Sequence, residues 1–214
     1  MSDAQLSTPE PIPEAESAAV PVRKRPRPGE RRVQILQALA TMLEQPGAER
    51  ITTAALAARL DVSEAALYRH FASKAQMFEG LIEFIEQSVF TLVNQITERD
   101  DAGPVQAGKM VTMLLQFAEK NPGMTRVMVG DALVFENERL QQRMNQFFDK
   151  IEATLKQGLR APHETEGSAT PSVDAQVKAS MLTSFVVGRL QRFARSGFRR
   201  LPSEHLEASL AHMV

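Results

Sequence analysis

Six cationic side chains, Arg23, Lys24, Arg25, Arg27, Arg31 and Arg32, stand within ten residues. Such a block binds polyanions, nucleic acid foremost, or is a solvated charged tail; taken alone it fits both. A second group further along has more informative spacing. Thr52 opens a short periodic stretch that ends at Leu60, Asp61-Val62 makes a turn, and Ser63 opens another stretch reaching Phe71. Two short helices joined by a three-residue turn have the spacing of a helix-turn-helix, which also occurs as plain structure. Leu56, Leu60, Val62 and Leu67 supply a small core. Ser63 caps the second helix, whose outer side then carries Glu64, Ala65, Tyr68 and Arg69, groups that fit a major groove. The turn needs a residue that tolerates a left-handed backbone, which Asp61 does less easily than Gly.

Chemistry of other kinds finds no support in the residue types. There is no Cys, which excludes a disulfide framework, Cys-ligated zinc and a Cys nucleophile. The four His are scattered without metal-ligand spacing. No Gly-rich phosphate loop, H-E-x-x-H or nucleophile elbow occurs. The sequence therefore predicts a binding protein and not an enzyme, with no catalytic residue, no metal and no cofactor.

The elements that must position these groups are helices. Residues 1–28 hold six of the twelve prolines and almost no apolar periodicity, and read as a disordered tail. Val33, Leu36, Leu39, Ala40 and Leu43 repeat at helical spacing until Gln45-Pro46-Gly47. Ser73-Lys74-Ala75-Gln76 reads as a capping box, opening a helix that reaches about Glu98. Further helices are predicted over 105–120, 124–133, 137–160, 172–196 and 203–213, with 161–171 as a loop. The expected fold is all-α. A three-helix DNA-binding domain (29–74) follows the tail (1–28) and precedes a helical dimerisation and partner-binding domain (75–214).

Charge is distributed in the same way. The 214-residue chain carries 25 Lys+Arg and 26 Asp+Glu, a net charge of −1. Residues 1–22 hold four acids and no base, whereas 23–80 hold ten bases and six acids. Apolar residues are 43% and charged residues 24%, the mix of a globular protein. No apolar run approaches a membrane span and no h-region opens the chain, so a cytoplasmic protein without membrane attachment is expected.

The residues 51–74 resemble the DNA-binding domain of the TetR family. The likeness lies in Thr52-Thr53, the turn Asp61-Val62-Ser63, Leu67-Tyr68-Arg69-His70-Phe71 and Ser73-Lys74. Asp61 replaces the usual Gly and Ala72 a frequent Pro. The resemblance implies an all-helical homodimer whose N-terminal module sits on palindromic double-stranded DNA while C-terminal helices pair. It gives Arg27, Thr52, Thr53, Ser63, Glu64, Ala65, Tyr68, Arg69, His70 and Lys74 as the DNA-facing set, with Thr53, Tyr68, His70 and Lys74 along phosphates. His70 alone would equally suit a core histidine capping a turn. The helix from 172 to 196 mixes Ala175, Ala179, Ser180, Ser184 and Gly188 with Val177, Met181 and Phe185, a composition that permits close helix approach at a dimer interface. Its end carries Arg189, Arg192, Arg195, Arg199 and Arg200, read as a solvated face.

Most of residues 30–160 is similar, more narrowly, to the nucleoid occlusion branch of that family. Ser63–Phe71, Met77-Phe78, Leu81–Glu86, Asn121-Pro122-Gly123, Ala132-Leu133, Phe135-Glu136, Arg139-Leu140-Gln141 and Ile151-Glu152-Ala153 carry this likeness. It implies a nucleoid-associated protein that blocks assembly of the division GTPase FtsZ over the chromosome, with several dimers on one DNA site. The C-terminal tail of FtsZ would lie between the 74–98 helix and the next, giving Phe84, Met113, Gln116, Lys120 and Asn121 as partner residues. Met77, Phe78, Leu81, Ile82, Ile85, Val89, Leu92, Val93 and Ile96 form one stripe, and Phe84 lies about 110° from its centre. Phe84 thus either packs on the N-terminal module or meets a partner. A ligand-responsive repressor is the competing reading; it needs a cavity with convergent polar groups, whereas the core-facing residues are mostly Leu, Met, Phe and Val.

The basic block yields a first prediction. Replacing Arg23, Lys24, Arg25 and Arg27 by Ala should weaken binding to all DNA sequences alike. It should also flatten the dependence of log K on log salt, by up to ~0.9 for each phosphate no longer neutralised. A salt titration of DNA affinity checks this, and an unchanged slope would mark the block as a solvated tail.

Overall fold

The computed structural model describes residues 29–45, 50–99, 103–165 and 168–214. The expected disordered tail, the cations Arg23 to Arg27 and the Pro46-Gly47 helix stop lie outside the described residues. In the described parts the protein is all-α: α1 (Glu30–Leu43), α2 (Thr53–Arg59), α3 (Glu64–Tyr68), α4 (Lys74–Thr97), α5 (Gly103–Lys120), α6 (Pro122–Met128), α7 (Glu138–Thr165), α8 (Pro171–Arg195) and α9 (Leu206–Ala211). A short 3-10 turn, Asp131–Leu133, joins α6 towards α7.

Local side-chain caps set the starts of α2, α3 and α4. Thr52 Oγ1 accepts from the Ala55 amide at 3.1 Å, Ser63 Oγ from Ala66 at 3.3 Å and Ser73 Oγ from Gln76 at 3.2 Å. Each satisfies an amide that the helix itself leaves without a partner. The capping box at Ser73 closes one residue early, because Gln76 Oε1 accepts from the Ala72 amide at 2.8 Å. Asp61 takes φ 53°, the left-handed conformation the turn requires.

α4 spans both parts of the molecule. Met77, Phe78, Leu81, Ile82, Ile85, Val89 and Val93 are buried along it, while Leu92 stands at the edge of the stripe, 37% exposed. Its first turns close over the α1–α3 module: a Cβ on Gly80 would lie 3.1 Å from the Phe71 ring and 3.3 Å from Leu36. Its remainder packs on α5 and α7, in a core that includes Val111, Leu114, Phe147, Ile151, Leu155 and, from α8, Leu182, all 1% exposed or less. α7 and α8 form the most extensive helix pair. Two ion pairs fasten the flank of α4 to α7: Arg139–Glu79 at 2.5 Å, and Arg143 on both oxygens of Glu86 at 2.5 and 3.2 Å. The hydrogen-bonded Glu86 carboxylate, with Glu83 and Glu79 nearby, holds the Arg143 guanidinium above its ordinary pKa, although burial opposes this.

Several boundaries differ from the expected ones. α3 stops at Tyr68 rather than Phe71, because the His70 and Phe71 amides both turn back to the Leu67 carbonyl, at 2.9 and 3.1 Å. That tightening buries Phe71 and brings Ser73 to the head of α4. The helix expected over 124–133 breaks at Gly130, φ 84°. α7 continues to Thr165, through residues expected as loop; its apolar pattern ends at Leu159, so no periodicity marks the extension. α9 begins only at Leu206, after His205 at φ 55°.

The α1–α3 module docks on the body mainly through α1 and α6. A Cβ on Gly123 would fall 1.9 Å from the Ala40 carbonyl oxygen, so no other residue permits this approach. Arg126 Nη1 donates to the Leu43 and Gln45 carbonyls, each at 3.4 Å, at the end of α1. Gly123→Ala must push the module away from the body. It should cost about 1–3 kcal/mol or more, as core overpacking does, in chemical or thermal unfolding. A substitution that leaves stability unchanged would contradict this packing.

Candidate nucleic-acid and partner interface

The recognition segment is short, held at both ends, and open on one side. α2 and α3 are tied by Thr53 Oγ1 donating to Glu64 at 2.6 Å. Arg32, at the start of α1, donates to the His70 carbonyl at 2.8 Å and lies over the Phe71 ring, 4.1 Å from its centroid. These contacts set the angle of α3. Glu64, Ala65, Tyr68, Arg69 and His70 are all exposed, Tyr68 at 45%. The structure therefore brings most of the sequence-predicted DNA-facing residues onto one module, Thr52 and Ser63 being spent as helix caps. Arg27 lies outside the described residues.

Lys74 differs from the expectation. Its ammonium makes a 2.5 Å ion pair with Glu136, which follows the 3-10 turn of the body. It stands 5.7 Å from the centroid of the Phe78 ring. The pair joins residues 62 positions apart in the chain, so nothing local in the sequence announces it. The phosphate role that the resemblance implies for Lys74 requires this bond to open or to be shared. Arg32 is likewise diverted from the free basic block to a structural role, which only the fold reveals.

The partner residues divide into two groups. Phe84 is 46% exposed, and Gln116 and Lys120 are exposed on α5. Phe84 lies one turn beyond Gly80, on the side of α4 that packs against Leu36 and Phe71. It emerges where α4 leaves the DNA-binding module. α4 and α5 pack on each other. Phe84 and Gln116 lie the same number of residues from the connection between them, hence at similar height if the two run antiparallel. Met113 instead packs against the core, and Asn121 Nδ2 donates to the Phe117 carbonyl at 2.7 Å, satisfying the end of α5.

Comparison with known proteins places this architecture. The tetR family of bacterial regulatory proteins matches residues 35–81, and a tetracyclin repressor-like C-terminal domain of SlmA-like type matches residues 104–214. The nucleoid occlusion factor SlmA of Aliivibrio fischeri strain ES114 is 54% identical over 181 residues, 84% of this chain and 92% of that one. The chain belongs to the SlmA family of TetR-type proteins. The SlmA proteins of Idiomarina loihiensis and of Vibrio cholerae are 51% and 52% identical, each over 178 residues, 83% of this chain and 90% of theirs. Solved structures similar in fold include FadR of Bacillus subtilis in complex with stearoyl-CoA, with TM-score 0.69 and 14% identity over 85% of this chain and 97% of that one. PfmR of Thermus thermophilus has TM-score 0.69 and 20% identity over 84% and 96%. Both likenesses concern the fold alone. In this SlmA-type chain, the DNA-binding module is thus the α1–α3 unit with the head of α4.

Tyr68→Ala should remove a groove-facing phenol that carries none of the core. DNA affinity in a gel shift with the selected palindrome should fall about tenfold or more, because a phosphate contact that positions the helix is a hydrogen bond to a charged group, worth about 1.5–3 kcal/mol. Size-exclusion and thermal unfolding should stay at wild-type values. Undiminished DNA binding would show that α3 is not the reading helix.

Proposed function

We propose that this protein is a nucleoid occlusion factor: a homodimer that binds palindromic double-stranded DNA, several dimers to a site, and holds the C-terminal tail of FtsZ. DNA would concentrate the dimers on the chromosome, and tails captured side by side would disturb FtsZ filaments there. The protein would accordingly be cytoplasmic and nucleoid-associated. The observation that carries this reading is the match to SlmA proteins across both modules, 54% identity over 84% of the chain. Phe84 supports it from physical grounds, since a large apolar side chain stands open beside the DNA-binding module.

The dimer face proposed is the outer side of α8. Val173, Val177 and Met181 recur every fourth residue and are 53–58% exposed. Ser180, Ser184, Phe185 and Met213 join Val177 and Met181 around a shallow hollow. A Cβ on Gly188 would meet nothing within 4 Å, so this side accepts a second helix closely. Ala175 and Ala179, expected on the same interface, are instead buried inside the protomer against its own helices. The buried residues of the body are mostly aliphatic and aromatic, which favours this reading over a ligand-responsive repressor that would need convergent polar groups.

The exposed aromatic gives the test. Burying a Phe contributes roughly 1.5–3 kcal/mol, so Phe84→Ala should weaken binding of an FtsZ C-terminal peptide about tenfold or more. DNA affinity should be preserved, because Phe84 lies beyond the recognition segment. Fluorescence anisotropy of both ligands on the same dimer checks this. Full peptide affinity in a folded variant would remove Phe84 as the anchor; joint loss of DNA binding and thermal stability would make it a strut between modules.

A further inference from the structure

The end of α8 and the segment after it present a charged surface that neither the DNA-binding nor the dimer reading uses. Arg189, Arg192, Arg195, Arg199 and Arg200 fall within twelve residues, and Glu204 is the one carboxylate up to His205. Arg189 is tied down: it donates to the Glu204 carbonyl at 2.9 Å and to Ser209 Oγ at 3.2 Å, and lies over the Phe185 ring. Arg199 Nε donates to the Ser196 carbonyl at 2.9 Å. Arg192, Arg195 and Arg200 are exposed and have no carboxylate partner among the described residues. Four arginines (Arg189, Arg192, Arg199 and Arg200) and Leu201, against the single carboxylate Glu204, wall a concavity of about 660 Å³, and Leu201 is 52% exposed.

Cations in the last turn of a helix oppose its negative end, which accounts for Arg192 and Arg195. It does not account for Arg199 and Arg200, which lie past the end. Their backbone amides both bond to Ser196 Oγ, at 3.1 and 2.9 Å, so the turn that carries them is fixed. Guanidinium groups on a fixed turn suit planar oxyanions, which they can hold through paired hydrogen bonds.

Two further contacts place this surface. The Ser203 amide donates to the Glu119 carboxylate at 2.7 Å, which sets the arginine turn against the last turn of α5, beside Lys120. Arg195 lines a hollow with Glu44 and Arg126, at the C-terminal end of α1. The opposite end of α1, where Arg32 meets the recognition segment, is ~17 Å away along the helix. The cluster therefore adjoins the α4–α5 partner face and not the DNA-reading one.

We infer that the arginine turn after α8 is an interaction surface for an acidic polypeptide segment, continuous through Lys120 with the exposed Phe84. The inference rests on the partner-binding reading of Phe84. An apolar anchor would seat at Phe84, and carboxylates on the same chain would run across Lys120 to Arg199 and Arg200. The concave shape and the exposed Leu201 fit an extended peptide with mixed acidic and apolar residues better than a flat lipid surface.

The experiment uses an FtsZ C-terminal peptide as probe, with the full-length dimer. The charge-reversed variant R199E/R200E, the neutral variant R199Q/R200Q and F84A are compared with wild type by anisotropy at low and high salt. Specific DNA and phosphatidylglycerol vesicles are the other two ligands. Charge reversal should weaken the peptide at least tenfold and flatten its salt dependence, neutralisation should do so less, and DNA affinity should stay within twofold. If charge reversal compromises folding, the neutral variant alone decides. Peptide affinity untouched by either arginine variant, while F84A still abolishes binding, overturns this inference and leaves the Phe84 reading standing. Loss of vesicle or DNA binding with the peptide unaffected overturns it in favour of those polyanions. A wild-type dimer that binds no peptide overturns the Phe84 reading and this inference together.

Discussion

One helix is asked to belong to two cores, and the rest of the structure follows from that. The buried stripe of α4 runs without interruption from Met77 to Val93. Its head closes over Phe71 and Leu36, and its remainder packs on α5 and α7. A helix shared in this way cannot move relative to one module without disturbing the other, because close-packed side chains do not deform continuously. The contact of α1 with Gly123 adds a second rigid connection, in which backbone meets backbone. The position of α3 is thereby referred to the body. Such referral is what a two-fold DNA reader needs, since half-site spacing is set by the frame that carries the reading helices.

Electrostatics is layered on this frame. The ion pairs Arg139–Glu79 and Arg143–Glu86 hold α7 to the flank of α4, and Lys74–Glu136 holds the head of α4 to the turn before α7. Arg139–Glu79 is largely exposed and contributes up to about 1 kcal/mol, while the other two pairs are half-buried. Their value lies in orientation, because they fix which side of α4 faces α7 and so which side is left open. Phe84 is on that open side. Glu79 and Glu86 of α4 are paired with arginines of α7, while Lys120, Arg199 and Arg200 have no carboxylate partner among the described residues. Charge is thus sorted between the two sides of the α4–α5 pair.

The DNA-binding module was legible in the sequence because its signals are local. Thr52, Ser63 and Ser73 cap the helix each precedes, and Asp61 adopts the backbone its place in the turn demands. That Phe84 lies off the core stripe followed from helical phase alone, whereas its exposure is read from the fold. What stayed hidden depends on distant parts of the chain. Lys74 reads as a free ammonium until the fold brings Glu136 to it. Asn121-Pro122-Gly123 reads as a helix stop, yet Pro122 and Gly123 open α6, and the need for glycine comes from Ala40, far back in the sequence. Ala175 and Ala179 have the size of dimer-interface residues, but phase turns them inward. The helical stretch after Leu159 has no apolar face, so periodicity could not find it.

The central claim is that DNA and FtsZ are held by one dimer at separate places on the same frame. Co-sedimentation of GTP-assembled FtsZ with this protein, with and without its selected palindromic DNA, tests it most directly. FtsZ polymer in the pellet should fall when the protein is added and fall further with the specific DNA, and this DNA should remain bound. FtsZ assembly indifferent to the protein in both conditions, with DNA binding intact, would contradict the claim and leave a DNA-binding repressor in its place.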